Sequence, residues 1–233
     1  MAPVKEIFQK SRELLQRTID FKNKKILVTA GATREYLDPV RFISNAASGK
    51  MGFALAVAAA SRGARVTLIT GPSNLEITDN IKKVSVASTD EMAAAVKKLF
   101  PKNDILIMAA APADFTPARE KQKIKKGKNT LVVKFKKTPD ILKNISYHKK
   151  TGQVLVGFSL ETENLKKNAL AKLRQKKLDI IVANQPVAGK TGFESETNQV
   201  YLFHRGGRQE KTALLPKEKI AHLILDFIKK YHG

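Results

Sequence analysis

Cysteine and tryptophan are both missing from this chain of 233 residues, and aromatic residues make up only 6% of it. Without cysteine there is no disulfide, no thiolate metal ligand and no thiol nucleophile, a composition that fits a reducing compartment. The scarcity of aromatics, with no arginine–aromatic cluster, leaves no platform on which RNA bases would stack. No apolar run is long enough for a membrane-spanning helix, and the opening Met1-Ala-Pro-Val-Lys-Glu6 lacks the apolar stretch of a signal peptide. A soluble, cytoplasmic protein that does not act at a membrane is expected. His148, His204, His222 and His232 are scattered with no ligand spacing, so no metal ligand is assigned. Acidic residues are also short, 21 against 43 Lys and Arg, for a net charge of +22. Nucleic-acid binding is one class that such a charge admits, but the lysines are spread over almost every element. A positive cleft that draws in phosphorylated small molecules fits them better.

What is present is a chain 42% hydrophobic, enough for one sizeable core. Residues 1–24 are expected to form a helical appendage or linker, with Val4, Ile7, Phe8, Leu14, Leu15 and Ile19 near helical spacing, and residues 25–233 the functional domain. Strands are expected at Lys25–Ala30, Arg65–Thr70, Val84–Ala87, Asp104–Ala110, Val154–Phe158 and Leu178–Ala183. Between them, helices are expected at Gly49–Arg62, at Asp90–Leu99 capped by Ser88 or Thr89, from Pro139 to Ile145, and at Glu163–Lys177. This alternation indicates βαβ units around a parallel sheet. Thr130–Phe135 alternates like a half-exposed strand, Gln199–Phe203 and Lys211–Leu215 flank Gly206-Gly207 as a hairpin, and Pro216–Tyr231 makes a terminal helix. The expected class is therefore α/β, a Rossmann-like, mostly parallel sheet flanked by helices, with a small added strand and hairpin region.

Two standard phosphate-binding fingerprints fail. A dinucleotide turn needs G-x-G-x-x-G directly after the first strand, where this chain has Gly31-Ala-Thr-Arg-Glu35, and the second strand ends without an acid for a ribose. A P-loop needs Ser or Thr where Met51 follows Lys50. What stands there instead is a long loop, Pro39-Val-Arg-Phe-Ile-Ser-Asn-Ala-Ala-Ser-Gly-Lys-Met-Gly52, between the first strand and an alanine-rich helix. Open α/β sheets bind ligands at that position, and a helix start offers unpaired N–H groups to a phosphate. Arg41, Ser44, Asn45, Ser48 and Lys50 add side chains suited to anions.

Further segments join it. Met108-Ala-Ala-Ala-Pro-Ala-Asp114 puts small residues at a strand's carboxyl end, where a ligand can approach the backbone, and Asp114 could hold a base, a ribose or Mg²⁺. Lys121-Gln-Lys-Ile-Lys-Lys126 is a charge run whose lysines could close over a triphosphate. Thr138-Pro-Asp-Ile141 and Phe158 could wall a pocket for an aromatic base, and Lys172 and Lys176, four apart on one helix face, could both reach a phosphate chain. Each reading alone competes with a bland one: a turn, a solvated charge run, a core strand.

Taken in order, Val28-Thr-Ala-Gly-Ala-Thr-Arg-Glu35, Asp38-Pro-Val-Arg-Phe-Ile-Ser-Asn45, Ser48-Gly-Lys-Met-Gly-Phe53, Ala109-Ala-Ala-Pro-Ala-Asp114, Lys123-Ile-Lys-Lys126, Pro139-Asp-Ile141, Gly157-Phe158 with Glu161-Thr162, and Leu178-Asp179 with Ala183-Asn184 resemble the phosphopantothenate–cysteine ligase family of coenzyme A biosynthesis. That family is often the carboxy-terminal half of a bifunctional bacterial protein. The resemblance implies a homodimeric enzyme, possible fusion to a flavin-dependent decarboxylase domain, and no flavin in this chain. It implies as substrates CTP, 4′-phosphopantothenate and L-cysteine, with Mg²⁺ on the triphosphate. The phosphopantothenate carboxylate would attack the α-phosphate of CTP to give an acyl-cytidylate and pyrophosphate; the cysteine amine would then displace CMP. By position, Asn45 is implied to polarise the acyl carbonyl, Arg41 to anchor it or touch substrate, and Lys123 to contact phosphate in the first step. Met108, Ala109, Ala110 and Asp114 are implied as the nucleotide segment, with Pro139, Asp140, Ile141, Leu142, Phe158, Lys172 and Lys176 as its remaining wall. Ala46, Ala47 and Thr138 depart from the more polar residues common at their places. A pyridine-nucleotide reductase on a similar sheet, and a basic nucleic-acid-binding module, are the competing classes.

Overall fold

The computed structural model describes residues 19–127, 130–187 and 195–232. The expected helix through Val4–Leu15 lies outside the described residues. Eight strands form the central sheet: β1 (Lys25–Ala30), β2 (Arg65–Thr70), β3 (Lys82–Ser85), β4 (Ile105–Met108), β5 (Val154–Leu160), β6 (Ile180–Asn184), β7 (Tyr201–His204) and β8 (Gln209–Lys211). Their spatial order is 8-7-6-5-4-1-2-3. Strands β1 to β6 run parallel, and β7 and β8 add antiparallel at one edge. The order 3-2-1-4-5-6 reverses between β1 and β4, so a crevice opens beyond their carboxyl ends.

Among the described residues five α-helices flank the sheet: α1 (Lys50–Ser61), α2 (Thr89–Leu99), α3 (Ile141–Ser146), α4 (Leu165–Gln175) and α5 (Lys217–His232). Alternate residues of each strand face opposite layers. Ile26, Val28 and Ala30 pack with Phe53, Leu55, Ile220 and Ile224 under α1 and α5. Leu27 and Leu106 pack with Met92, Ile141, Leu142 and Leu173 under α2, α3 and α4. Ahead of β1, Phe21 is buried in the first layer and Asp20 pairs with Arg62.

Helix α1 meets β1 unusually closely. A Cβ at Gly52 would stand 2.5 Å from Ala30 Cβ and 2.8 Å from Thr29 O, so only glycine fits. Gly49 caps the helix at φ 83°, a left-handed conformation that favours glycine. Ser88 caps α2 by accepting from the Glu91 amide.

Three expectations are corrected. Residues 130–134 form no strand; Phe135–Lys137 pairs instead with Phe115–Pro117 in a two-stranded ribbon, held by the Thr138 hydroxyl donating to Ala113 O at 2.6 Å. Pro139 does not start α3: Asp140 is its N-cap, accepting from the Lys143 amide, because a capping carboxylate satisfies a free helical N–H that proline cannot. The hairpin at Gly206-Gly207 joins β7 to β8, but β8 ends at Lys211, and Leu215–Pro216 pairs with Thr197–Asn198.

Candidate active site

The loop after β1 is built as a hairpin. Arg34–Tyr36 pairs antiparallel with Phe42–Ser44. Asp38, with no exposed surface, closes the turn by accepting from the Val40 and Arg41 amides at 2.7 Å each. Ser44 then ties the returning strand to Thr33 O at 2.7 Å. This delivers Asn45 to the carboxyl end of β4, where its Nδ2 donates to Ala111 O and Pro112 O, both at 3.1 Å.

The ends of β1 and β4 are stitched together as well. Ala110 N donates to Thr29 Oγ1 at 3.2 Å and Ala111 N to Gly31 O at 2.9 Å. Thr33 Oγ1 accepts from Ala113 N at 3.0 Å, and the buried Glu35 accepts from both the amide and the hydroxyl of Thr89 at 2.9 Å. The alanine-rich strip is therefore a rigid floor rather than a mobile loop.

Two cavities open on either side of that strip. The first, about 290 Å³, lies against the start of α1 and is bordered by Gly31, Asn45, Gly49, Lys50, Ala109 and Lys172. Asn184, Asn198 and Lys217 also border it. Burial, and then the neighbouring Lys50 charge, hold the Lys217 ammonium below its ordinary pKa. Lys50 is ion-paired with Glu196. The second cavity, about 450 Å³, lies over α3 and is bordered by Met108, Pro139, Asp140, Ile141, Leu142 and Lys176. Ala110, Pro112, Asp114 and Phe158 border both cavities, so molecules in the two would meet across them.

The structure thus gathers most of the residues named from sequence. Met108, Ala110, Asp114, Pro139, Asp140, Ile141, Leu142, Phe158 and Lys176 share the second cavity; Asn45, Ala109 and Lys172 border the first. Lys172 and Lys176 do not converge. Lys172 pairs with the buried Glu161 at 2.7 Å, and Lys176 with Asp140 at 3.1 Å, one on each cavity. Arg41 and Lys123 border neither. Both are exposed, and Arg41 Nη1 donates to Ile124 O at 3.0 Å, beside Lys123.

Sequence reasoning missed Ser159, Asn198, Lys217 and Lys137. Ser159 is buried at the wall of the first cavity, and its hydroxyl has no hydrogen-bond partner. Lys217 carried a signal in hindsight, since it opens a helix directly after a proline. Among the described residues no group of three His, Cys, Asp or Glu side chains could hold a metal ion. No described helix is long and apolar enough to cross a membrane.

Residues 21–231 match the family described as DNA/pantothenate metabolism flavoprotein C-terminal domain. The chain is 39% identical over 232 residues to the coenzyme A biosynthesis bifunctional protein CoaBC of Haemophilus influenzae, covering 99% of this chain and 58% of that one. It is 43% identical over 213 residues to CoaBC of Escherichia coli K12, covering 90% and 52%. The chain therefore spans little more than half the length of these relatives. A crystal structure of the C-terminal domain of CoaBC superposes with a TM-score of 0.78 at 37% identity, covering 91% of this chain and 97% of that domain.

Proposed function

We propose that this chain, which belongs to the DNA/pantothenate metabolism flavoprotein C-terminal domain family, joins 4′-phosphopantothenate to L-cysteine at the expense of CTP. The observation that carries the reading is the pair of cavities sharing Ala110, Pro112, Asp114 and Phe158 as a common wall, with Asn45 tied to that wall. A ligase that activates one substrate with another needs two sites opening on one point. Cytidine sits in the cavity over α3, its base against Phe158. Phosphopantothenate lies along the first cavity, its phosphate towards Lys50, Lys217 and the amides that begin α1.

A carboxylate oxygen is a poor leaving group. Attack by that oxygen on the α-phosphorus of CTP expels pyrophosphate and makes it the bridging oxygen of a mixed acyl–phosphate anhydride. The cysteine amine then attacks the acyl carbon, and CMP leaves with the bonding pair. Lys123 meets the charge of the departing pyrophosphate as a mobile ammonium. Asp114, the exposed carboxylate bordering both cavities, fits Mg²⁺, which is held by one or two carboxylates together with substrate phosphates. When bound, the ion neutralises triphosphate charge.

Asn45 serves the second step. In the free protein its Nδ2 is occupied by two peptide oxygens. In this reading its Oδ1 accepts from the incoming amine. Donation to the acyl carbonyl requires the amide to leave Ala111 and Pro112.

The relatives' length and their name, bifunctional, support a place beside a second domain, read here as the decarboxylase, in a longer protein. Exposed Leu131, Val132 and Phe135 support a homodimer formed through the segment after residue 128. The test of the function is pyrophosphate release from CTP and phosphopantothenate, followed by amide formation on adding cysteine.

A further inference from the structure

Asp38 is the one wholly buried carboxylate that links the hairpin after β1 to the basic segment after β4. Its Oδ1 accepts from the Val40 and Arg41 amides at 2.7 Å. Its Oδ2 accepts from the Ile124 amide at 3.1 Å and from Arg41 Nη1 at 3.3 Å. Arg41 Nη1 also reaches Ile124 O at 3.0 Å, so carboxylate and guanidinium together hold both the N–H and the C=O of one residue. Two further contacts lay the segment along the hairpin: Glu120 N donates to Leu37 O at 2.7 Å, and the Arg119 guanidinium stands 5.2 Å from the Tyr36 ring centre. The turn amides occupy Oδ1 alone, and Oδ2 serves the segment after β4. A buried charge with four donors around it is costly to assemble unless its geometry has a use.

We propose that Asp38 is a positioning residue that fixes the base of the Lys123 segment, so that Lys123 moves over the nucleotide from an anchored point one residue away. The inference rests on the ligase reading for the role of Lys123, but the anchor itself is a property of the free protein. Burial pushes the Asp38 carboxyl up, and the amides of Val40, Arg41 and Ile124, with the Arg41 charge, outweigh it and keep the group below its ordinary range. The anchor is thus charged wherever the protein is folded near neutral pH.

The test is Asp38→Asn. An amide can accept on one side only. With Oδ1 kept on the hairpin, its NH₂ faces the Ile124 N–H and the Arg41 guanidinium, donor against donor. Hydrogen exchange of the Ile124 amide, measured without ligands, should quicken by about tenfold or more, while α1 and the sheet keep their protection. Pyrophosphate release should fall by about a hundredfold, as expected when a catalytic group is misplaced by about an ångström. Conversion of preformed acyl-cytidylate with cysteine should change by no more than about threefold, because that step does not use Lys123. Unchanged exchange at Ile124 overturns the anchor whatever the enzyme does. An equal fall in both half-reactions overturns it too, since general damage would do that. Should Asp38→Asn not fold, Ile124→Pro removes the donated N–H without touching Asp38, at the cost of the isoleucine side chain and some freedom at Lys123, and full pyrophosphate release by that variant overturns the proposal. If the unsubstituted protein releases no pyrophosphate, it is the ligase reading that fails, and the exchange result at Ile124 still decides the anchor.

Discussion

The Asn45 amide is bound to the Ala111 carbonyl, 66 residues away in sequence, at 3.1 Å. This bond makes one site of two loops that leave neighbouring strands. It also fixes the amide's donor end on the protein, since Nδ2 donates to Pro112 O as well.

Asn45→Asp therefore places an oxygen where Ala111 and Pro112 present oxygens, and the side chain is repelled from its seat. Amide formation should fall by about 10²–10³, the usual loss when one polar group placed at the reacting centre is displaced. Pyrophosphate release should continue, so acyl-cytidylate accumulates and can be trapped and weighed by mass spectrometry. Product formation at the normal rate would remove Asn45 from the mechanism.

Lys123→Gln should have the opposite signature. Pyrophosphate release should be lost by a factor of about 10² or more, while supplied acyl-cytidylate is still converted with cysteine. A single-turnover assay of each half-reaction measures both. Normal pyrophosphate release would exclude Lys123.

Gly52→Ala tests the fold beneath the site. The added methyl would meet Ala30 Cβ at 2.5 Å and Thr29 O at 2.8 Å, both in the central strand, which cannot yield. Urea unfolding should show a loss of about 1–3 kcal/mol, the usual cost of overpacking. Equal stability would mean that α1 rides further from β1 than described.

Asp20 gives the pH dependence a sign. Its hydrogen bond from Arg62, aided by Lys229 and opposed by burial, lowers the carboxyl from 3.8 to about 2. A lowered folded pKa means the unfolded chain takes up the proton first. The contribution to stability is complete above the unfolded value and is lost as pH falls from 3.8 towards about 2. Asp20→Asn should lower stability at neutral pH and flatten its decline across that interval, read by denaturant titration. An unchanged slope would show the pair to be without net effect.

Much of this was legible in the sequence, for physical reasons that differ by element. Strands β1 and β2 begin and end at the expected residues, because buried parallel strands are continuous apolar runs closed by glycine. A cap at Ser88 or Thr89 was readable because a hydroxyl before Asp90 and Glu91 has one obvious use, and Ser88 is the one that takes it. The ribbon of Phe115–Pro117 with Phe135–Lys137 was not: Thr130–Phe135 alternates well, but alternation does not say where a partner will lie. Most wall residues of the second cavity fall in two short segments, 108–115 and 137–142, which made them readable, and Phe158 and Lys176 join them from β5 and the end of α4. Lys217 and Asn198 escaped because only the fold brings the start of α5 and the short Thr197–Asn198 strand to one cavity. The separation of Lys172 from Lys176 escaped for another reason. Helical spacing puts both on one face, and the carboxylates of Glu161 and Asp140 then draw them apart.

The most direct measurement is pyrophosphate release by the purified chain, with each of the four nucleoside triphosphates, with and without 4′-phosphopantothenate, and with cysteine omitted. The account predicts release with CTP that requires phosphopantothenate and proceeds without cysteine. No release with any nucleotide, or release that strictly requires cysteine, would contradict it.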